Sequence, residues 1–271
     1  MQGRLVPPVG DRIQAFPVDR WRDEFPAARQ AGLQSIEWIY DTEGDDINPV
    51  ATDEGLAEMM ALSRESGVQV KSLCADYFMS ETLLRGTMMD RQRREGKLQW
   101  LIARCAKAGI GRVVLPFVDS SNIESDADFR DLVTLMKNTS RLTGGHGVEL
   151  HLETSLPPSR FASLLDAIGN SLVKVNYDSG NSASLGFDVN EEFEAYSDHI
   201  GSVHIKDRVR GGSTVPLGTG SADFAGLACC LKRIDYSGDF ILQVARSTCG
   251  DEIAWAMHNR DFFNNIFSGN S

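Results

Sequence analysis

Long apolar runs are missing from this chain. No stretch approaches the ~20 consecutive apolar residues of a membrane-spanning helix, so a membrane partner is not expected. Cysteine is scarce and unpaired: Cys74, Cys105, Cys229, Cys230 and Cys249 are odd in number and form no CxxC. That pattern gives no disulfide framework, and no secretory signal opens the sequence, so reduced thiols in a cytoplasmic protein are the simplest expectation. Positive charge is in deficit, with 27 Lys and Arg against 38 Asp and Glu and a formal net charge of −11. A nucleic-acid partner is therefore disfavoured, because such binding draws its affinity from neutralising phosphates. A local basic site for a single phosphate stays open. No GxGxxG follows the first strand signal, which leaves a dinucleotide-binding fold with little support.

What is present is an ordinary globular composition, 42% hydrophobic and 24% charged, over 271 residues. Two domains would fit that length, but so would one (β/α)₈ barrel, which typically takes about 250 residues. No Pro/Ser-rich linker interrupts the chain, so residues 1–271 are read as one domain. Strand signals fall at MQGRL, SIEWIYD (35–41), QVKSLCADYF (69–78), RVVLPFVD (112–119), VELHLET (148–154), VKVNYD (173–178), SVHIKD (202–207) and DFILQVA (239–245). These runs are short and rich in Val, Ile and Leu, as strands covered on both faces are. The sequence starts almost directly on the first of them, so either that strand is short or residues precede it. Amphipathic helical patterns lie between the strands, at 21–32, 53–67 with Asp53 as N-cap, 90–109, 126–143, 157–168, 191–198, 222–233 and 251–267. Several stop at a Gly just before the next strand signal. Eight such units predict a closed parallel α/β barrel, a TIM barrel; an open doubly wound sheet is the alternative.

Glu153, Asp178, His204 and Gln243 each lie near the end of one of the last four strand signals, at intervals of roughly thirty residues. Strand alternation puts Glu149, His151 and Glu153 on one face, Lys174, Asn176 and Asp178 on another, and pairs His204 with Lys206. A barrel interior is normally apolar, so polar side chains gathered at one rim need a metal or a polar substrate to satisfy them. Two carboxylates, an imidazole and an amide oxygen suit Mn²⁺ or Mg²⁺, with Co²⁺ and Zn²⁺ also compatible. With no thiolate among them, a structural zinc site is not expected. Each residue also has a plainer reading. Glu153 could pair with Lys206 or Arg208, Asp178 could start the SGN turn, and His204 could be a satisfied core histidine. Two long loops, VPPVGDRIQAFPVDR and DYFMSETLLRGTM, follow the first and third strands and would cover the same face.

The segments HLET (151–154), NYDSGN (176–181), HIKDR (204–208) and PLGTGSADF (216–224), with GRLVPP and QAFPVDRWRDEF near the start, resemble the xylose isomerase-like barrel family of sugar and sugar-phosphate isomerases and epimerases. The resemblance spans essentially the whole chain. It implies a divalent metal at Glu153, Asp178, His204 and Gln243. It also implies acid/base catalysis by the groups at positions 153 and 243, and a metal-chelated sugar passing through a cis-enediolate. Lys206, Arg208, Asn181, His151 and Glu37 become candidates for substrate contacts, with Asp207 orienting Lys206 and Arg208. His151 is either a partner that orients a ligand or a packed core residue. The family forms homodimers and homotetramers, but nothing in the sequence selects a state.

Two positions depart from the family pattern. Gln243 stands where Glu is usual, and Asn181 where many relatives carry His. An amide cannot serve as a base, so Glu153 is left as the obvious rim base, which favours one-base isomerisation over two-base epimerisation. Glu37 or Asp76 could supply a second base and would weaken that argument. Trp38, Phe78 and Phe117 are candidate apolar walls for a sugar face, and Arg4 could hold a substrate anion or tie down the first loop. Other readings are dehydration on the same barrel and a non-catalytic sugar-binding barrel. Endonuclease chemistry needs a multi-zinc cluster richer in histidine than the five present here.

Overall fold

Residues 1–10, 12–143 and 145–267 are described by a computed structural model of the chain. The Val/Ile/Leu runs form β1 (Ser35–Ile39), β2 (Gln69–Cys74), β3 (Arg112–Phe117), β4 (Glu149–Thr154), β5 (Val173–Asp178) and β6 (Ile200–Ile205). A short hairpin follows, β7 (Asp207–Arg208) against β8 (Thr214–Val215), and then β9 (Phe240–Leu242). Strands β1 to β6 and β9 make one parallel sheet in sequential order. The chain start closes it. Gln2 N donates to Leu242 O at 3.1 Å, and Glu37 N donates to Met1 O at 2.9 Å, so Met1 and Gln2 bridge the last strand to the first. The eighth position of the barrel is thus one bridge and not the strand expected for MQGRL. Gly3 takes φ +37, which turns the chain out of the ladder, and Pro7 and Pro8 further on have no N–H to donate.

The intervening helices are α1 (Glu24–Gln30), α2 (Asp53–Ser66), α3 (Tyr77–Ser80), α4 (Met88–Ala108), α5 (Asp126–Thr143), α6 (Pro158–Ile168), α7 (Ser179–Leu185), α8 (Val189–Tyr196), α9 (Phe224–Arg233) and α10 (Glu252–Phe267). The fold is the expected TIM barrel, with differences at element ends. Thr52, not Asp53, caps α2 by accepting from Gly55 N; Asp53 is the first helical residue, and its carboxylate pairs with Arg104 and Lys107. The α4 helix starts at Met88 because Thr87 and Asp90 form a capping box. The second strand of the sheet ends at Cys74, and the next residues coil into α3. The last strand ends at Leu242, so Gln243 lies just beyond it, although Gln243 N still donates to Ile205 O at 2.9 Å.

Outward residues Leu73, Val113, Leu150, Leu152, Val175 and Val203 are buried under the helices. Most residues alternating with them are polar and equally buried, namely Ser72, His151, Glu153, Asn176, Ser202 and His204, with Val114 and Ile241 as apolar members of the same face. Barrels of this class normally fill that space with branched apolar side chains. Here the lumen is a connected polar network.

Glu24, in the first turn of α1, anchors the segment after the closing bridge. Its Oε1 accepts from Leu5 N at 3.2 Å, and its Oε2 has no hydrogen-bond partner among the described residues. Burial pushes this carboxyl up to about 7, although the amides of Leu5 and Val6 and the charge of Arg246 oppose the shift. The folded state therefore binds this proton more tightly than the unfolded chain does. Its contribution is full below the ordinary carboxyl value of 4.5 and is lost as pH rises through about 7. Glu24→Gln should accordingly gain stability over the parent between about pH 5 and 8, by on the order of 2–3 kcal/mol. Denaturant unfolding at the two pH values checks this; a difference that does not change with pH would rule it out.

Candidate active site

Adjacent strands deliver the central trio. Asp178 ends β5 directly opposite His204 of β6, and Glu153 lies on β4. All three are buried, and one potential ligand atom from each lies within 4.8 Å of the others. His204 Nδ1 is 3.4 Å from Glu153 Oε2 and 3.9 Å from Asp178 Oδ2. On the other side of the ring, His204 Nε2 is 2.8 Å from Glu37 Oε1. Burial opposes charge on this imidazole, but the carboxylates of Glu37 and Glu153 outweigh it and push the ring up to about 10. Glu37 experiences the converse: its burial is overcome by His204, then by Ser72 and Arg112, and its carboxyl is held low.

Asp178 divides its two oxygens between structure and site. Its Oδ1 accepts from Asn181 N at 2.8 Å and caps α7, so the turn-starting reading is part of the answer. Its Oδ2, like His204 Nδ1, has no hydrogen-bond partner among the described residues. Two unsatisfied buried atoms facing one another cost free energy unless a cation or proton lies between them. Two carboxylates with one imidazole form a donor set that fits a divalent cation. The residues present therefore fit a metal, with Glu153, Asp178 and His204 as the side chains that would hold it.

Glu153 is oriented from both sides by amides. Asn181 Nδ2 donates to its Oε1 at 2.6 Å, and Asn176 Nδ2 donates to its Oε2 at 2.7 Å. Asn176 is in turn set by Ser202 Oγ, which donates to Asn176 Oδ1 at 2.6 Å and lies 2.7 Å from His151 Nδ1. His151 Nε2 reaches Glu149 at 2.9 Å. His151 therefore sits a layer below the rim, and acts on Glu153 only through Ser202 and Asn176. Gly201 permits this: a Cβ there would stand 2.5 Å from His151 Cε1.

Above the trio opens a cavity of about 440 Å³. Glu153, Asn181, Lys206, Arg208 and Gln243 line it; Asp178, His204, Glu37 and His151 do not. The expectation that Glu37 and His151 contact substrate is thus corrected. Both are fully buried in the barrel lumen, where Glu37 holds His204 and His151 supports Ser202. Gln243, expected as a fourth ligand and a catalytic group, has its Oε1 engaged by Lys206 Nζ at 2.8 Å, and its Nε2 donates to Gln2 Oε1 at 2.7 Å. Lys206 Nζ also lies 3.6 Å from Asp178 Oδ2. The ammonium bridges the two, and the Gln243 oxygen, with one lone pair taken by Lys206, keeps only its second for a metal. Trp38, Phe78 and Phe117 are core residues and do not wall the cavity; Ile13, Met79, Pro116 and Val118 supply its apolar lining. Arg4 is buried, donating to Val244 O and, at 2.8 Å, to Gln14 Oε1, so it ties the first loop to the last strand. Asp207 accepts from the amides of Gly218, Gly220 and Ala222, which shapes the Gly-rich loop behind Arg208.

Gln14 and the pairing of Asn176 with Ser202 were not singled out from the sequence. Period-two alternation back from Asp178 and His204 leads to Asn176 and Ser202, so their inward placement was readable. Gln14 lies in a loop, and no periodicity marks it.

Known proteins agree with this architecture. The profile of the xylose isomerase-like TIM barrel family matches residues 25–266. The L-ribulose-5-phosphate 3-epimerase UlaE of Escherichia coli K12 is 27% identical over 271 residues, covering 94% of this chain and 93% of that protein. Among solved structures, IolI protein with a bound zinc atom superposes with a TM-score of 0.76 at 16% identity, covering 93% of this chain and 94% of that one. A D-allulose 3-epimerase from Methylomonas sp., in complex with D-allulose, gives a TM-score of 0.75 at 17% identity, with 93% of each chain covered. The chain belongs to the xylose isomerase-like TIM barrel family.

Proposed function

We propose that the protein is a divalent-metal-dependent isomerase or epimerase of a sugar or sugar phosphate, with Glu153 taking the proton from the carbon beside the substrate carbonyl. The observation that carries this reading is the buried trio of Glu153, Asp178 and His204, with two facing atoms that have no hydrogen-bond partner among the described residues, under a polar cavity. The relatives named as 3-epimerases of L-ribulose 5-phosphate and of D-allulose support the substrate class. Mn²⁺ or Mg²⁺ suits the oxygen-rich donor set, and the zinc-bound IolI barrel keeps Zn²⁺ in view. A bound divalent cation would polarise the carbonyl and offset charge developing on its oxygen.

The chain's own side chains set the rest. Glu153 is the one member of the trio that reaches the cavity, and its two amide donors fix its direction. Lys206 and Arg208 present positive charge beside it. Arg208 makes no ion pair among the described residues; its donors go to Asn181 Oδ1 and Gly212 O. A guanidinium without a carboxylate at a cavity wall suits a substrate phosphate or hydroxyl oxygen. Gln243 cannot return a proton to the opposite face of the carbon, so Glu153 acting alone would give one-base isomerisation, and 3-epimerisation needs a second acid elsewhere on the cavity wall.

Mn²⁺-supplemented protein incubated in D₂O with L-ribulose 5-phosphate or D-allulose should place deuterium on a carbon next to the carbonyl. Glu153→Gln should slow this exchange by roughly 10²–10⁴-fold; exchange at the parental rate would remove Glu153 from the role. Purified protein without stoichiometric divalent metal, and without exchange on adding it, would instead favour a sugar-binding barrel. Glu37→Gln should weaken metal binding by roughly 10–100-fold, because the carboxylate that orients His204 loses its charge. Calorimetric titration with Mn²⁺ measures this, and an unchanged affinity would show that the Glu37 carboxylate is not needed to set the ligand.

A further inference from the structure

The carboxyl of Asp76 has none of the ordinary employments of a buried acid. It stands at the N-cap position of α3, yet its side chain makes no capping bond among the described residues. It forms no ion pair among them either; Arg4 feels its charge and bonds to the same Gln14, but does not touch it. Its oxygens accept from the Cys74 thiol at 3.2 Å and from Gln14 Nε2, two neutral donors. The side chain is turned instead into the cavity that Glu153 lines. Taking a carboxylate out of water with no cation in contact with it is costly, and such arrangements in clefts are a mark of acid/base groups. Burial pushes this carboxyl up to about 6, with Asp41 and Glu153 adding to the shift against the Gln14 and Cys74 hydrogen bonds. Both protonation states are then accessible near neutral pH, as a group that alternately gives and takes a proton requires.

We infer that Asp76 is the second proton-transfer residue of this site, serving the face of the substrate carbon opposite Glu153 and standing in for the acid that Gln243 cannot supply. This rests on the reading of Glu153 as base, and it replaces one-base isomerisation by two-base 3-epimerisation. In one direction Glu153 takes the proton from the carbon, and the C–H electron pair moves into the enediolate. The enediolate carbon then takes the proton of the Asp76 carboxylic acid on its other face: a C–H bond forms, the Asp76 O–H bond breaks, and Asp76 is left ionised with Glu153 protonated. The opposite epimer is handled with the two roles exchanged, and proton exchange with water resets the pair.

The test compares Asp76→Asn with the parent, both with Mn²⁺, on L-ribulose 5-phosphate and on D-allulose in D₂O. Two quantities are read: deuterium wash-in to recovered substrate, and formation of the 3-epimer. Asp76→Asn should keep wash-in within about threefold while epimer formation falls at least about 100-fold, and Asp76→Glu should recover part of the epimer. Should the Asn variant not fold, Asp76→Ser carries the same two readouts. Loss of both quantities together, at an unchanged unfolding midpoint, would make Asp76 a structural support and overturn the inference. Epimer formation at the parental rate would also overturn it, as would a parent that exchanges deuterium but makes only an aldose; in those cases the role of Glu153 stands. A parent showing neither exchange nor product would bring down both readings.

Discussion

One buried imidazole among three carboxylates organises the interior of this barrel. Glu37, Glu153 and Asp178 converge on His204 from three strands, within 2.8, 3.4 and 3.9 Å. Repulsion among three desolvated acids would be prohibitive without positive charge at the centre. A proton on His204 supplies part of it, and the Lys206 ammonium beside Asp178 supplies more. A divalent cation bound by Glu153, Asp178 and His204 would satisfy the same requirement more completely. The polar lumen follows from this centre. Asn176 and Asn181 hold Glu153, Ser202 holds Asn176, and His151 with Glu149 supports Ser202 from below.

Lys206 is the pivot between this centre and the cavity. It covers Asp178, occupies the carbonyl of Gln243, and lines the space where a substrate would lie. A Glu at position 243 would meet the same ammonium as an ion pair, whereas Gln leaves it shared between an amide and Asp178. The side of the cavity served by the last strand thus loses an acid and keeps a cation. Asp76, at the end of β2 and bonded to the first loop through Gln14, restores an acid to the wall. The first loop thus sets the position of this acid, because Gln14 is bonded to it and shares the cavity wall.

The barrel itself was legible in the sequence because each strand is a short branched-apolar run and most helices are punctuated by glycine or a cap. Element ends were harder. Thr52 takes the cap of α2, while Asp53 is already helical and pairs with Arg104 and Lys107, residues about fifty positions away. The inward side of β4, β5 and β6 could be read from alternation, which brought Glu153, Asp178 and His204 together. Glu37 shows the limit of that reading. Its strand and face were recognisable, but whether it looks into the cavity or at the back of His204 depends on how far the sheet has curled at β1.

The sequence by itself determined the βα order, the excess of acidic residues and the placing of Glu153, Asp178, His204 and Gln243 near strand ends, because those follow from local periodicity and composition. The structure alone decided which polar groups satisfy each other and which are left facing the cavity. Lys206 taking the Gln243 oxygen, Gln14 meeting Asp76 and Gln2 closing the sheet against Leu242 are contacts between residues far apart in the chain. Such pairings arise only when the parallel strands close on themselves, since closure fixes which side chains share the dry interior and must find partners there.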